Sequence, residues 1–183
     1  MQVFRPYVDL RRSAVVLDDR RLGKQRVECK QVLKAILRKL GLIDDGLRGW
    51  LNHPVVLLYF NEGRPYVRDL VGFFWACVEE WRMRGYSSSI GLEDVDPLLG
   101  RIEVTEGTPV TRVHEIEYRR ILLVKDPEHY VRAFPREEVI EVLETEPVLV
   151  SGINGWLFED LKSYERAVRR IRRMLEKRVA GGA

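Results

Sequence analysis

The chain has 183 residues, of which 45% are hydrophobic and 32% charged, and its formal net charge is +3. This length suits one domain with a sizeable core, and the composition is that of an ordinary globular protein. The longest apolar runs, residues 55–60 and 71–78, are far too short to span a membrane, and no secretory leader opens the sequence. We therefore expect a cytoplasmic protein that does not associate with membranes.

The first two predicted helices lie in the N-terminal quarter. The segment from Asp9 to Leu17 reads as a short helix with Asp9 as its cap. Either Asp18 or Asp19 caps a long second helix, which runs to about residue 40 and is closed by Gly41. Apolar residues recur along this helix at helical spacing, and its N-terminal half carries cations on the other faces.

Further helices follow along the chain. Pro54 opens a short helix, and residues 66–84 form a third long helix that is apolar enough to be the centre of the core. Residues 87–110 read as an irregular insertion with a short strand at 101–104. Helices are predicted over 111–124 and from Pro127. Residues 139–143 suit either a strand or a helix. A final amphipathic helix is predicted over 159–179. The predicted fold is mainly α, a compact single-domain helical bundle.

Positive charge is concentrated in two segments. Residues 9–30 contain seven basic and four acidic side chains, and residues 162–178 contain eight basic and two acidic ones. Such a distribution favours basic faces that bind nucleic acid, since cations that neutralise phosphates release counterions. The same counts also fit solvated helix faces with ion pairs such as Lys24–Glu28. The candidate phosphate contacts are Arg5, Arg11, Arg12, Arg20, Arg21 and Arg26.

The histidines, cysteines and tryptophans supply few other candidates. Cys29 and Cys77 fall within apolar helical stretches, which is typical of buried thiols, and the three histidines are too far apart for a linear metal motif. We expect neither a metal ion nor another cofactor. Trp50 and Tyr86 flank loops, where an aromatic ring can stack on an unpaired base or wedge a kinked duplex. His53 lies at a loop–helix junction, and we count Trp50 and His53 among the candidate nucleic-acid contacts.

Four segments together resemble a known family. They are YVDLRRSA through LDDRRLGKQRVE (residues 7–28), GWLNHP (49–54), EWRMRGY (80–86), and HE through KDPEHY (114–130). In this order they resemble the microbial pyrimidine-dimer DNA glycosylases and, more remotely, the phage enzyme that founded the group. The resemblance covers about residues 1–135, which we predict to be one helical domain. Residues 136–183 are predicted to be an extension that ends in a basic amphipathic helix packed on the same domain.

The resemblance implies a DNA-repair glycosylase and strand-cleaving lyase that acts on ultraviolet-damaged double-stranded DNA without a metal. In the phage enzyme the N-terminal α-amine attacks the sugar C1′, a Schiff base forms, and a glutamate near the start of the long helix assists. Here the bulk of Gln2 should leave Met1 in place, so the amine would belong to Met1. The phage glutamate aligns at or beside Arg21, and the nearby acids are Asp18, Asp19 and Glu28.

The leading hypothesis assigns the nucleophile to the amine of Met1 or else to Lys24, with Asp19 as the acid. Two alternatives stay open. One is a non-catalytic nucleic-acid-binding protein of the same fold. The other is an enzyme of different chemistry, in which His53, His114 and Glu115 form an acid–base set for a nucleotide or modified base. Damaged double-stranded DNA is the expected partner, and no obligate protein partner is expected.

Overall fold

The structure is a computed structural model that describes the backbone of residues 2–180 and the side chains of residues 2–177. The described part of the chain contains ten α-helices and no β-strand, which confirms the expected mainly helical fold. In chain order the helices are α1 (Leu10–Val16), α2 (Asp19–Lys39), α3 (Pro54–Phe60), α4 (Val67–Met83), α5 (Asp96–Leu99), α6 (Arg112–Lys125), α7 (Pro127–Ala133), α8 (Arg136–Glu144), α9 (Gly155–Glu159) and α10 (Leu161–Ala180).

The chain is divided into two compact units, Met1–Thr111 and Arg112–Ala183. The first unit contains α1 to α5, and the second contains α6 to α10. The boundary near residue 135 was drawn from the extent of the family resemblance rather than from packing, and it stays a prediction.

Helix α2 supplies much of the core of the first unit and packs mainly against α4. Its buried side chains follow the expected helical stripe. The Asp18 carboxylate caps the helix by accepting a hydrogen bond from the Arg21 amide at 3.0 Å. At the other end Gly41 adopts a φ of 71°, the left-handed conformation that terminates many helices. The fully buried residues of the stripe are Leu22, Gln25, Cys29, Val32, Leu33, Ile36 and Leu37.

Helix α4 is the central helix of this unit, as predicted, since both α1 and α2 pack against it. Phe73 and Phe74 are fully buried on this helix, together with Cys77. Burial raises the pKa of the Cys77 thiol and that of Cys29 on α2, so both thiols stay protonated at neutral pH. Both cysteines therefore behave as core residues.

The insertion after α4 is irregular, and residues 101–104 do not form the short strand that was one reading of the sequence. Its one helix is the single turn α5. The Thr105 amide donates to the Pro65 carbonyl at 3.1 Å, and Asn61 Nδ2 donates to the Thr105 hydroxyl at 2.9 Å. The end of the insertion is thus fastened to the start of α4 by isolated hydrogen bonds rather than by a sheet.

The second unit is organised around α6, which packs against α7, α8 and α10. The ambiguous residues 139–143 belong to helix α8. A buried polar network lies at its centre. The Glu117 carboxylate accepts hydrogen bonds from Arg120 Nε at 3.1 Å and from Asn154 Nδ2, while Arg120 also donates to the Val142 carbonyl at 2.7 Å. The network satisfies both buried charges, as a low-dielectric interior requires.

Candidate functional site

The start of the chain is clamped onto the N-terminal half of α2. Val3 and Phe4 are buried, and the Phe4 amide donates to Gln25 Oε1 at 2.8 Å. The same side-chain amide donates back to the Gln2 carbonyl at 3.0 Å. One turn further along α2, Glu28 Oε2 accepts from the Gln2 amide at 3.2 Å and from Gln25 Nε2 at 3.3 Å. A carboxylate is therefore fixed beside the second residue of the chain.

Met1 lies outside the described residues, but its α-amine is separated from the Gln2 nitrogen by only three covalent bonds. Burial raises the pKa of Glu28, while the Gln2 amide and the positive charge of the N-terminus lower it in part. Burial also lowers the pKa of His53, and the N-terminal charge acts in the same direction. Both side chains thus respond to the charge of the amine.

His53 is held in a defined orientation at the start of α3. Its Nδ1 accepts a hydrogen bond from the Val55 amide at 3.2 Å, which caps the helix. An accepting Nδ1 carries no proton, so in the neutral ring the proton is on Nε2. His53 therefore presents a hydrogen-bond donor, which suits contact with a phosphate or sugar oxygen better than it suits a general base.

Trp50 lies next to His53 and is strained. The two ring centroids are 5.3 Å apart in an edge-to-face arrangement, and 55% of Trp50 is exposed. Its φ of 69° is a left-handed conformation that a bulky residue adopts only at a cost. Both the exposure of this ring and its strained backbone conformation cost stability. Folding alone therefore does not favour a tryptophan at this position.

Asp19, which the sequence analysis assigned as the acid, has a different setting. Its carboxylate accepts from Arg84 at 2.8 Å and from the Tyr86 hydroxyl at 2.7 Å, and these hydrogen bonds lower its pKa. Asp19 and Glu28 are nine residues apart on α2, which corresponds to about 13 Å along the helix axis. Asp19 is thus out of hydrogen-bonding reach of the chain start, and Glu28 is the carboxylate beside it.

Three of the candidate phosphate-binding arginines are engaged within the protein. Arg5 is fully buried: it pairs with Asp69 at 2.5 Å and donates to the Val8 carbonyl at 2.8 Å. The assignment of Arg5 to a nucleic-acid surface therefore does not fit the structure, because its guanidinium cannot reach solvent. Arg21 forms an ion pair with Asp18, one turn earlier on the same helix.

The third of these arginines, Arg26, lies over the Trp81 ring at 4.1 Å, and Trp81 stacks on Tyr86 at 4.2 Å. Arg26 also donates to the Ser88 hydroxyl at 2.8 Å, and burial lowers its pKa. Gly23 makes this stack possible, since a β-carbon there would lie 3.2 Å from the Trp81 ring. The stack joins α2 to the end of α4, so Arg26 has a structural role whether or not it also contacts phosphate.

The other predicted cations are exposed. Arg20 and Lys24 lie one turn apart on the solvent face of α2, and Lys24 precedes Glu28 by one further turn. The positive charge of Lys24 lowers the pKa of Glu28. Arg11 and Arg12 lie on α1, and the Arg12 guanidinium covers the Tyr7 ring at 3.8 Å. Arg11, Arg12 and Arg20 are thus the predicted phosphate-binding arginines whose side chains are exposed, and the exposed Lys24 adds a fourth cation.

His114 belongs to the second unit, where it is half-buried on α6 and burial lowers its pKa. Its assignment to a catalytic set stays a prediction. Within residues 2–177, no group of three or more histidine, cysteine or acidic side chains is arranged to hold a metal ion. No described helix is both long and apolar enough to cross a membrane.

Glu28 was considered in the sequence analysis but ranked below Asp19. One signal in the sequence favoured it. Gln25 occupies a position in the apolar stripe of α2, between Leu22 and Cys29, and a polar residue at a fully buried position must find hydrogen-bonding partners. Its partners are the first residues of the chain, and they place Glu28 beside the chain start.

The N-terminal segment of the first unit is thus bound to a carboxylate on its longest helix, and the next helix begins at a histidine whose ring contacts an exposed tryptophan. The family model for pyrimidine dimer DNA glycosylases matches residues 1–94. The chain belongs to this family, which confirms the resemblance noted in its sequence. No curated protein and no solved structure matches the chain significantly.

Proposed function

We propose that the protein is a DNA glycosylase and strand-cleaving lyase that acts on pyrimidine dimers, with the N-terminal α-amine as its nucleophile. The observation that carries this proposal is the clamp of Gln2 onto Gln25 and Glu28, which brings a partly buried carboxylate to the chain start. Membership of the pyrimidine dimer DNA glycosylase family supports the substrate class.

The chemistry suits these groups. An α-amine with a pKa of about 8 is neutral in roughly one molecule in ten near pH 7, and this neutral fraction can attack C1′ of the damaged nucleotide. The glycosidic bond breaks and its electrons leave with the base. The attached amine loses a proton, and the C1′–O4′ bond then opens with uptake of a proton by O4′, which gives an iminium. Removal of a C2′ proton then expels the 3′ phosphate and cuts the strand. Glu28 would accept the proton that the amine loses.

DNA binding would use the exposed cations together with Trp50. Arg20 and Lys24 would contact phosphates on one flank of Glu28, and His53 would donate from Nε2. The exposed Trp50 ring would stack in the gap that a dimer opens in the duplex, because a damaged pair costs less to unstack. Stacking on an aromatic ring contributes about 1–3 kcal/mol per base.

Borohydride trapping tests the nucleophile. The protein is incubated with ultraviolet-irradiated duplex DNA and borohydride, which reduces an imine to a stable amine and leaves a covalent adduct. We expect an adduct whose DNA is attached to the N-terminal peptide, and we expect acetylation of the α-amine to abolish it. A Lys24→Ala variant is the matched control and should still form the adduct.

Each outcome of this experiment has a distinct meaning. Attachment at Lys24 would transfer the nucleophile to that side chain and refute the role of the α-amine. Strong, salt-dependent binding to irradiated DNA with neither adduct nor strand cleavage would refute the enzyme and favour the non-catalytic alternative. Unirradiated duplex of the same sequence shows whether the reaction depends on damage.

A further inference from the structure

The second unit carries a surface that the family match does not reach, since the match ends at residue 94. Six cations on α10 fall within an arc of about 100° around the helix axis and therefore lie on one face of the helix. We call this face the basic stripe, and all of its residues are exposed. They are Lys162, Arg166, Arg169, Arg170, Arg173 and Lys177.

The opposite face of α10 is already used. Ile171 and Leu175 are buried, and the helix packs against α6 and α7 within its own unit. The Tyr164 hydroxyl accepts a hydrogen bond from the buried Arg120 at 2.6 Å. A helix that binds a membrane surface needs its apolar face free to enter the lipid, whereas the apolar face of α10 is committed to the core.

The charge of the basic stripe is mostly not neutralised by the protein. Arg170 pairs with Glu128 of α7 at 2.8 Å, and both side chains are more than half exposed. Arg166 donates to the Ser163 hydroxyl at 2.6 Å. For the other four cations, no carboxylate among residues 2–177 lies within ion-pair distance. Three of these four cations, Arg169, Arg173 and Lys177, lie on consecutive turns and repel one another, so an anionic partner would relieve a repulsion that the fold leaves in place.

Helix α7, which packs beside α10, contributes a further cation next to the basic stripe. A cleft of about 390 Å³ lies between α7 and α10 and is lined by Glu128, Val131, Arg132, Met174 and Lys177. Arg132 is exposed at its edge. The cleft thus adds a seventh cation from a second helix and gives the surface a width beyond that of one helix face.

We propose that the basic stripe binds the phosphate backbone of duplex DNA, as a second DNA-contacting surface that is separate from the site near Glu28. Lys162 and Lys177 are fifteen residues apart, which corresponds to about 22 Å of helix. A duplex presents one negative charge per roughly 1.7 Å, so on the order of a dozen phosphate charges fall within that length. Lysine and arginine side chains arranged in a row along a phosphate backbone raise affinity without reading sequence.

This proposal does not depend on the lyase chemistry, so it is tested by binding to undamaged DNA with the full chain. The variant is Arg169→Ala/Arg173→Ala/Lys177→Ala, and affinity for a short duplex is measured by fluorescence anisotropy over a series of salt concentrations. Loss of three phosphate contacts should reduce the slope of log K against log salt by about 2.7. If electrostatic binding vanishes near about 1 M salt, affinity at about 0.1 M should fall roughly 500-fold.

Arg172 provides the matched control. It is exposed on the same helix as Arg173, but it points about 100° away from Arg173 around the helix axis and about 60° beyond Arg169, which forms the edge of the basic stripe. We expect Arg173→Ala to weaken binding about 8-fold at about 0.1 M salt, and Arg172→Ala to weaken it less than about 2-fold. The triple Arg169→Lys/Arg170→Lys/Arg173→Lys variant keeps the charge and should keep the slope.

Three results would overturn the proposal. An unchanged slope in the triple alanine variant would show that the basic stripe does not contact phosphates. Equal losses for Arg172→Ala and Arg173→Ala would show an effect of net charge alone. Tighter binding to vesicles of anionic lipid than to duplex at equal salt, lost in the same triple variant, would assign the surface to a membrane. Circular dichroism checks that the variants keep their helices.

Discussion

Replacement of Glu28 by Gln separates the catalytic proposal from the stability of the site. Glu28 Oε2 accepts the hydrogen bonds from Gln2 and from Gln25. A glutamine at this position has the same shape, and its single side-chain oxygen can accept both bonds. What the variant loses is the negative charge and the capacity to take up a proton. Glu28→Gln should therefore preserve the clamp and change the chemistry.

We expect a large fall in activity. A positioned general acid or base contributes about 10²–10⁴-fold to rate. At about 1.36 kcal/mol per factor of ten, this corresponds to about 3–5 kcal/mol of transition-state stabilisation. The assay is single-turnover cleavage of irradiated duplex, which isolates the chemical steps from product release. Asp19→Asn is the control, and its cleavage rate should stay close to that of the parent, because Asp19 bonds to Arg84 and Tyr86 rather than to the chain start.

The same substitution should not destabilise the protein at neutral pH. Burial raises the pKa of Glu28, so the folded state disfavours its charged form. The stability linked to this group is present below the unfolded-state pKa and is lost as the pH rises through the higher folded-state pKa. At about pH 7, Glu28→Gln should melt at or above the temperature of the parent, and the difference should shrink as the pH falls towards about 4.

Two results would refute this reasoning. Cleavage by Glu28→Gln within about threefold of the parent would show that the carboxylate takes no part in proton transfer. A clear fall in melting temperature at neutral pH would show that the charge of Glu28 stabilises the fold, contrary to the direction of its pKa shift. Loss of activity with unchanged or increased stability is the signature of a residue retained for chemistry.

Three further substitutions test other parts of the structure. Asp69→Ala leaves the buried Arg5 guanidinium without its carboxylate and should lower the free energy of unfolding, measured in urea, by about 3–5 kcal/mol. The double variant Arg5→Met/Asp69→Leu should recover much of that loss. A loss under about 1 kcal/mol for Asp69→Ala would contradict the burial of the pair. Asn154→Ala removes a donor to Glu117 and should destabilise the second unit by about 1–3 kcal/mol, measured by hydrogen exchange of α6; unchanged protection would contradict it. Trp50→Gly relieves a left-handed conformation, so it should leave stability equal or higher while weakening binding to irradiated duplex about 5- to 150-fold, and unchanged binding would exclude stacking by this ring.

The helices could be predicted well because local signals agree with the packing. Asp18 before the long helix and Gly41 after it mark the ends of α2, and Pro54 begins α3. Residues 139–143 are apolar except for Glu141, and they stayed ambiguous because so short an apolar run fits a strand as well as a helix. Packing of α8 against α6 decides between them.

The candidate site was harder to predict because the sequence does not show whether a charged side chain points into the core or into solvent. Arg5 and Arg20 look alike in the sequence, yet one is fully buried against Asp69 and the other is exposed. The choice between Asp19 and Glu28 depended on which carboxylate meets the first residues of the chain. That contact spans more than twenty positions in sequence, and no local pattern encodes it.

The clamp at the chain start has a consequence for the speed of the proposed reaction. The first residues of most domains fray, and a nucleophile on a fraying end would have to lose its freedom each time it met a substrate. Here Val3 and Phe4 are packed in the core and the Gln2 carbonyl is bonded to α2. These residues lose their conformational freedom once, during folding, so the segment that carries the nucleophile is already ordered when DNA binds. More of the binding energy therefore remains for distorting the lesion.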